Sequence, residues 1–277
     1  MKVSVFAKSM TLATLALAGL QVQAADWSDT SIAVSYGTQY KEPYVANGAA
    51  ISKDIYTLKH IDGDKYGTNF FNIDLLESNS VDGGAQEAYL VYRRLFDFGK
   101  IKGQKYEFGP FRDVGLTAGF DLNTKNDTGY ASRKRMLVVG PTFMADVPGF
   151  LNISLLLLNE SNAPLGSNGQ HIARYTYKTH PDLNLVWGIP IGASAWEFEG
   201  YADFIAAKGT NEYGGPTAPE QHIYATALYD ASSLVGASKN SLKVGVGYEY
   251  WHNKFGNPSN VPGSYAHTPF LKAEYHF

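Results

Sequence analysis

The segment Thr268-Pro269-Phe270-Leu271-Lys272-Ala273-Glu274-Tyr275-His276-Phe277 alternates strictly between apolar and polar side chains over its last seven residues. Successive side chains of a β-strand point to opposite faces. The apolar set Leu271, Ala273, Tyr275 and Phe277 therefore lies opposite the polar set Lys272, Glu274 and His276. A soluble sheet gains little from this arrangement, but a barrel in lipid needs an apolar outside and a polar lumen. The segment predicts a transmembrane β-barrel.

The first 24 residues predict a secretory signal peptide. Lys2 and Lys8 come before an apolar run over 10–20, and Val22-Gln23-Ala24 has the small-x-small pattern of a cleavage site. The apolar run is too short to cross a bilayer as a helix. We therefore expect a signal peptide at 1–24 and a barrel at 25–277. Its removal takes away two lysines and no acid, so the formal net charge changes from −3 to −5.

Composition excludes several other classes of protein. The chain has no cysteine, so an exported form cannot rely on disulfides. The longest apolar run of the mature chain, Ile153–Leu158, is far shorter than the roughly 18 residues of a spanning helix. The other way to satisfy the backbone within lipid is a closed sheet. The mildly acidic balance also argues against nucleic acid as a partner.

Twelve segments alternate well enough to be interpreted as strands. They are 31–40, 53–61, 67–76, 86–95, 113–123, 133–144, 150–159, 182–189, 195–206, 220–230, 242–251 and the closing segment quoted above. The spacing, about 21 residues per strand with its connection, is typical of outer-membrane barrels. The fold class that we predict is all-β, a transmembrane antiparallel β-barrel of about 12 strands. A closing strand with a terminal aromatic residue also resembles the assembly signal of bacterial outer-membrane barrels.

The connections fall into two classes. Short ones at 61–65, 145–149 and 190–194 are typical of periplasmic turns. Longer ones, rich in Gly, Pro, Asn and Ser, are expected to be extracellular loops, and they lie at 41–53, 160–181, 207–219 and 253–264. Two inner connections, at 96–108 and 231–240, are longer than this pattern predicts.

Twelve strands should enclose a bore of intermediate width, narrower than that of a large porin. Ionised side chains cost little in a water-filled bore but several kcal/mol each in a dry core, which argues against a soluble barrel with its apolar face inward. The predicted lumen-lining and substrate-binding residues are Thr57, Lys59, Asp74, Glu87, Tyr89, Arg93, Asp121, Arg133, Glu197, Glu199, Tyr201, Asp203, Lys243, Glu249 and Trp251. Charged members would hold hydroxyl and ring-nitrogen groups, and aromatic members would stack on a flat ring. The alternative is that the aromatic side chains only fill the lumen or support the wall.

Several short motifs together resemble the Tsx-like family of nucleoside-specific channel-forming outer-membrane proteins. The most specific motif is Phe108-Gly109-Pro110-Phe111-Arg112, followed by an alternating strand. Supporting motifs are Ser35-Tyr36-Gly37-Thr38-Gln39-Tyr40, Asn69-Phe70-Phe71-Asn72-Ile73-Asp74, Phe198-Glu199-Gly200-Tyr201, Tyr248-Glu249-Tyr250-Trp251-His252 and Ala273-Glu274-Tyr275-His276-Phe277. The resemblance covers most of the mature chain in order, although the loops depart from those of the better-known members.

The resemblance implies a monomeric barrel of twelve strands in the bacterial outer membrane, with a narrow passage for nucleosides. Passive diffusion of nucleosides or similar small polar solutes needs no cofactor, no metal and no catalytic group, so we predict that the protein is not an enzyme. Some members of the family serve as phage or colicin receptors, which makes such particles candidate partners besides the surrounding lipid.

Two other functions remain open from the residues alone. A filled barrel could act as a receptor or adhesin through its Gly- and Asn-rich loops. A barrel hydrolase would need a nucleophile beside a base, and His171, His180 and His267 lie near Ser167, Asp182 and Ser264 respectively. Two pairs have the spacing of metal ligands, Glu274-x-His276 and Tyr250-x-His252, but a structural zinc site needs four ligands.

Overall fold

The computed structural model describes residues 25–127, 129–166 and 169–277, so the predicted signal peptide lies outside the described residues. Twelve long strands form the fold, and the predicted all-β barrel is confirmed. They are β1 (Trp27–Tyr40), β2 (Ile51–Asp64), β3 (Gly67–Ser78), β4 (Gln86–Asp97), β5 (Phe111–Lys125), β6 (Arg135–Ala145), β7 (Phe150–Asn162), β8 (His180–Pro190), β9 (Trp196–Ile205), β10 (Glu220–Asp230), β11 (Leu242–His252) and β12 (Tyr265–His276).

Each strand pairs antiparallel with its neighbours in sequence, and β1 closes the barrel by pairing with β12. The closing register sets Ser31 opposite His276 and Gly37 opposite Phe270. Among the twelve long strands closure leaves no unpaired edge, which is the condition for a sheet to lie within hydrocarbon. A two-residue strand, Tyr175–Thr176, adds to the extracellular end of β7. Short two-residue strands, Tyr130–Ala131 and Leu165–Gly166, pair with each other outside the barrel wall.

The two faces of the wall differ sharply in chemistry. On the outer face Leu137 is 64% exposed and Leu271 63% exposed, whereas the inward Ser31 and Thr226 are each 1% exposed. An apolar exterior of this kind can contact hydrocarbon at no cost in free energy. The polar side chains point into the lumen, where they can form hydrogen bonds and ion pairs. The wall is therefore that of a membrane-spanning β-barrel. Among the described residues no helix has the length and apolar character needed to cross a bilayer.

At one end of the barrel three connections are short, at 65–66, 146–149 and 191–195, and two are longer, at 98–110 and 231–241. The turn between β2 and β3 is Lys65-Tyr66, where the carboxylate of Asp64 accepts from the backbone N–H of Tyr66 at 2.8 Å. After β4 comes a five-residue helix, α1 (Phe98–Lys102), which Asp97 caps by accepting from Lys100 N at 2.9 Å. This helix and a 3₁₀ turn at Ser232–Val235 fill the two inner connections that are longer than expected.

The other set of loops lies together at the opposite end, and its described residues are 41–50, 79–85, 126–127, 129–134, 163–166, 169–179, 206–219 and 253–264. Because bacterial barrels have short periplasmic turns and long extracellular loops, we take this end as extracellular. Two boundaries differ from the sequence-based expectation in a way that matters. β2 continues to Asp64, so the turn is shorter than 61–65, and β6 begins at Arg135 rather than at Arg133.

Candidate functional site in the lumen

Every predicted lumen residue except Arg133 takes an inward position in the strand register. Inward positions follow directly from pairing: Thr57 lies opposite Asp74, and Asp74 lies opposite Tyr89. The same parity continues around the wall through Glu87, Arg93, Asp121, Asp203, Glu197, Glu199, Tyr201, Glu249, Trp251, Lys243 and Lys59. The wall thus gathers these side chains around one bore.

The predicted lumenal position of Arg133 is wrong. Arg133 precedes β6 and is exposed, and the inward cation here is its neighbour Lys134, whose Nζ is 3.6 Å from Glu160 Oε1. The physical reason is the polar run from Ser132 to Arg135. Because both strand faces carry polar residues there, alternation cannot fix the register of this segment.

A layer of six charged side chains crosses the lumen in its periplasmic half. We call Lys59, Lys243, Lys272, Glu197, Glu199 and Glu274 the charged layer. Lys59 Nζ lies 2.6 Å from Glu274 Oε1 and 3.5 Å from Glu199 Oε2. Since β2 and β9 are on nearly opposite sides of the barrel, the contact of Lys59 with Glu199 spans the bore.

The rest of the charged layer is closely paired. Lys243 Nζ is 2.6 Å from Glu197 Oε2 and 3.5 Å from Glu199 Oε1, and Lys272 Nζ is 2.8 Å from Glu274 Oε2. Three lysines face three glutamates, so the layer is balanced in formal charge. Buried ions need such compensation, because an unpaired charge there would carry the full cost of desolvation.

A second charged group lies nearer the extracellular side. Arg93 pairs with Asp121 through a charge-assisted hydrogen bond, and Tyr89 donates its hydroxyl hydrogen to the same carboxylate at 3.0 Å. Across the lumen, Asp203 accepts from Asn184 Nδ2 at 2.6 Å. These side chains can offer both donors and acceptors to a polar solute.

Aromatic side chains form a continuous series from the extracellular mouth to mid-barrel, which we call the aromatic ladder. Its members are Phe255, Trp251, His222, Tyr201, Tyr224 and Phe270. The ring of His222 stacks on Trp251 with centroids 3.7 Å apart and planes 6° apart. Tyr201 stacks on Tyr224 at 5.5 Å and 8°. The ladder is completed by edge contacts of Phe255 with Trp251 and of Tyr201 with His222, and by the stack of Tyr224 on Phe270.

Gly247 makes room for the inner end of the ladder. A Cβ atom at this position would lie 2.1 Å from Cζ of Phe270, which no side chain could tolerate without movement of the ring. The ring therefore lies flat against the wall at an inward glycine instead of projecting into the bore. Lys272 of the charged layer approaches the next ring, with Nζ 6.0 Å from the centroid of Tyr224.

Buried ion pairs tie two extracellular loops to the ladder. Glu42 accepts from Lys53 Nζ at 2.5 Å and from Lys254 Nζ at 3.2 Å. Lys254 also lies over the Trp251 ring, 4.2 Å from its centroid. Burial opposes ionisation of Glu42, but the charges of Lys254 and Lys53 outweigh it and hold the pKa of the carboxyl well below its usual range.

A second group of contacts joins the three loops on the other side of the mouth. Glu212 accepts from the hydroxyl groups of Tyr130 and Tyr177, the latter at 2.7 Å. Below it, Lys208 Nζ lies 2.9 Å from Glu160 Oε1, and both side chains are buried. These contacts hold the described parts of the three loops together at this side of the mouth.

The histidines considered for hydrolysis lie in different environments. His180 is buried at the extracellular end of β8, where its Nδ1 is 2.9 Å from Lys178 O. His267 is on the outer wall among tyrosines, with Nε2 2.5 Å from the Tyr265 hydroxyl. Ser264 is buried and donates to Val261 O at 2.8 Å. His171 is exposed in its loop, and Ser167 lies outside the described residues.

The two pairs at metal-ligand spacing lie on opposite faces of the wall. Glu274 and His276 both point inward and lie 3.3 Å apart, between Oε1 and Nε2. Tyr250 and His252 share the outer face, where both pack near Tyr265. Within 25–127, 129–166 and 169–277, no group of three or more His, Asp or Glu side chains could hold a metal ion.

Sequence reasoning missed several lumenal residues. His222, Tyr224 and Phe270 of the ladder occupy inward positions of β10 and β12. Parity could have found them, since His222 and Tyr224 follow Glu220 at steps of two and Phe270 precedes the outward Leu271. The loop residue Glu42 gave no such signal, because its partners come from different parts of the chain.

No family model matches the chain, and no curated protein matches its sequence. Several solved structures are similar in fold. The translocator domain of autotransporter NalP from Neisseria meningitidis is 13% identical, with 98% of this chain and 96% of that chain covered and a TM-score of 0.48. The KdgM porin is 10% identical over 89% of this chain and 99% of its own, with a TM-score of 0.45. The NanC porin is 9% identical over 88% and 98%, also with a TM-score of 0.45.

The assignment to a membrane depends on the architecture of this chain itself. A single-chain, even-stranded antiparallel barrel with an apolar exterior and a polar interior is the type found in outer membranes. The closed strand pairing and the chemistry of the two wall faces meet that description. The protein is therefore an outer-membrane β-barrel of a bacterium.

Proposed function

We propose that the barrel is a passive channel for nucleosides or closely similar small solutes, each with a flat ring and a hydroxyl-bearing part. The observation that carries the proposal is the position of the aromatic ladder directly above the charged layer. A ring can stack on aromatic side chains while hydroxyl groups meet carboxylates and ammonium groups. The resemblance of the short motifs to the nucleoside-specific family agrees with this choice of solute.

Passage would proceed by exchange of contacts. A base stacked on the ladder gains about 1–3 kcal/mol, enough to draw it into the bore without trapping it. At the charged layer, the 3.5 Å contact of Lys59 with Glu199 is longer than the 2.6 Å contact of Lys59 with Glu274. The contact of Lys59 with Glu199 is therefore the weaker one and should break first when a solute arrives. Hydroxyl groups of the solute can then form hydrogen bonds with both side chains. One chain encloses the complete path, so a monomer suffices.

The test is conductance of the purified protein in planar bilayers, with nucleosides, sugars and amino acids of similar size added in turn. We expect nucleosides to reduce the ion current more than the other solutes. Labelled nucleosides should also enter liposomes that carry the protein faster than sugars do. A current that nucleosides leave unchanged would remove the proposed solute, and a complete lack of current would favour a filled barrel that acts as a receptor through its loops.

Two lumen variants sharpen the test. Trp251→Ala removes a ladder ring, and Glu199→Gln removes the negative charge that faces Lys59 across the bore. Both should alter solute preference while assembly is retained. The matched control is Val246→Ala, because Val246 lies on the outer face of the same strand as Trp251. If the control changes solute preference as much as the lumen variants do, the ladder is not the recognition element.

A further inference from the structure

Three arginines lie close together on the outside of the barrel at its extracellular rim. We call Arg133, Arg135 and Arg174 the arginine patch. Arg174 Nη1 donates to Ser161 Oγ at 3.0 Å, and Arg174 Nη2 donates to the carbonyl oxygen of Arg133 at 3.2 Å. Ser161 is the register partner of Arg135 across β6 and β7. The strand register therefore brings the two strand ends and the loop together.

The arginine patch has no acidic partner among the described residues. The ion pairs found in 25–127, 129–166 and 169–277 involve other basic side chains, whereas Arg133, Arg135 and Arg174 are all exposed. Slight desolvation of the guanidinium group, and then the charge of Arg135, lower the pKa of Arg174. Uncompensated positive charge contrasts with the lumen, where each lysine of the charged layer meets a glutamate. A patch of this kind is complementary to an anion.

Apolar surface begins directly below the arginine patch. Along the outer face of β7 the chain presents Ser161, Asn159, Leu157 and Leu155 in turn, with the two leucines each 53% exposed. Beside them a groove of about 450 Å³ opens on the outer wall across β7 to β10. Its apolar lining includes Leu155, Leu157, Pro181, Leu183 and Phe204. On β7 the lining of the groove ends at Leu157, four residues from Ser161, so the arginine patch and the groove lie at different depths of the same side of the outer wall.

We propose that this part of the wall binds a phosphorylated, acylated lipid of the outer leaflet, with its phosphate on the arginine patch and one acyl chain in the groove. From the guanidinium groups beside Ser161 to the leucines lower on β7, the order of chemistry on the wall matches the order of chemistry along such a lipid. Arg forms paired charge-assisted hydrogen bonds with phosphate, and its position at the rim is at headgroup depth. The occupant is a lipid rather than free phosphate because only a lipid uses the groove as well.

The proposal does not depend on which solute passes through the lumen. It also gives a function to Arg133, which lies outside the bore. The patch is at the extracellular rim, so the lipid would come from the outer leaflet.

The experiment is a titration of the purified barrel in detergent, followed by native mass spectrometry, with bis-phosphorylated hexa-acylated lipid A as the probe. The same lipid without phosphates and inorganic phosphate alone are the comparison ligands. The variants are Arg135→Gln alone and Arg135→Gln with Arg174→Gln. The control is Lys102→Glu, an exposed basic residue of α1 at the opposite end of the barrel.

We expect the wild type to bind the phosphorylated lipid, and each lost arginine to weaken binding about tenfold, as expected when a charged hydrogen bond is removed. The control should bind like the wild type, and salt should weaken binding. Arg135→Gln keeps the hydrogen bonds of Arg174, so it remains informative if the double variant fails to fold. Equal affinity for the lipid without phosphates, binding of inorganic phosphate as tight as that of the lipid, or unchanged affinity of Arg135→Gln would overturn the proposal.

Discussion

The charged layer allows a paired test in which two single substitutions should have opposite effects on ion selectivity. The layer contains three lysines and three glutamates in mutual contact, so its formal charge is balanced. Lys59→Met leaves it with an excess of one negative charge, and Glu199→Gln leaves it with an excess of one positive charge. Each change removes one charge of the same 3.5 Å ion pair across the bore.

The size of the effect follows from Coulomb's law. One unit charge acts on a permeating ion 4 Å away with about 1 kcal/mol in water, which corresponds to about fivefold in the local concentration of that ion. Lys59→Met should therefore favour cations, and Glu199→Gln should favour anions. Both should conduct better than the wild type, because the contact that spans the bore is lost. Both variants should still fold, because the other ion pairs of the charged layer remain: Glu274 stays paired with Lys272, and Lys243 stays paired with Glu197.

The assay is the reversal potential of single channels in planar bilayers under a KCl gradient. The two variants should shift this potential in opposite directions from the wild-type value. Raising the salt concentration should reduce both shifts by screening. Shifts of the same sign, or no shift in either variant, would show that ions do not pass the charged layer and would refute the proposed path.

Three further predictions concern other parts of the structure. Gly247→Val should displace the ring of Phe270 into the bore and lower conductance, as measured in single-channel recordings. Glu42→Gln should make the loops more accessible to protease. The pKa of Glu42 is depressed in the folded state, so its stabilising contact with Lys254 is fully present above the ordinary carboxyl pKa of about 4.3. The contact is lost as pH falls from there toward the lower pKa of the folded state. The difference in protease sensitivity between Glu42→Gln and the wild type should therefore shrink only below about pH 4.3. Leu155→Arg on the lipid face should lower the free energy of unfolding in lipid vesicles by about 2–4 kcal/mol, as measured by urea titration.

Much of the barrel could be predicted because its physics imposes a period of two. A wall between water and hydrocarbon must alternate, so the alternation of 271–277 and 242–251 indicates both strand identity and the inward face. Arg133 shows the limit of this reasoning. At the rim the wall leaves the membrane, both faces can be polar, and the pattern that defines register disappears.

A local sequence pattern cannot predict which side chains contact each other across the lumen. Lys59 and Glu199 come from strands on nearly opposite sides of the barrel, and nothing near either residue in the sequence indicates the other. The same holds for Glu42, whose partner Lys254 belongs to another loop. Alternation tells which side chains point inward, but barrel diameter and side-chain length decide which of them meet.

The balance of the charged layer bears on the class of solute as well as on selectivity among ions. An ion that crosses the layer must lose part of its hydration shell, which costs free energy. The fixed charges of both signs attract and repel the ion about equally, so the layer does not offset the cost of dehydration. A neutral solute with several hydroxyl groups loses less on dehydration and can exchange hydrogen bonds with lysines and glutamates alike. The aromatic ladder above the layer adds attraction for a flat ring, which an inorganic ion lacks. For this reason the two unbalanced variants should conduct ions better and, at the same time, discriminate less well between nucleosides and salt.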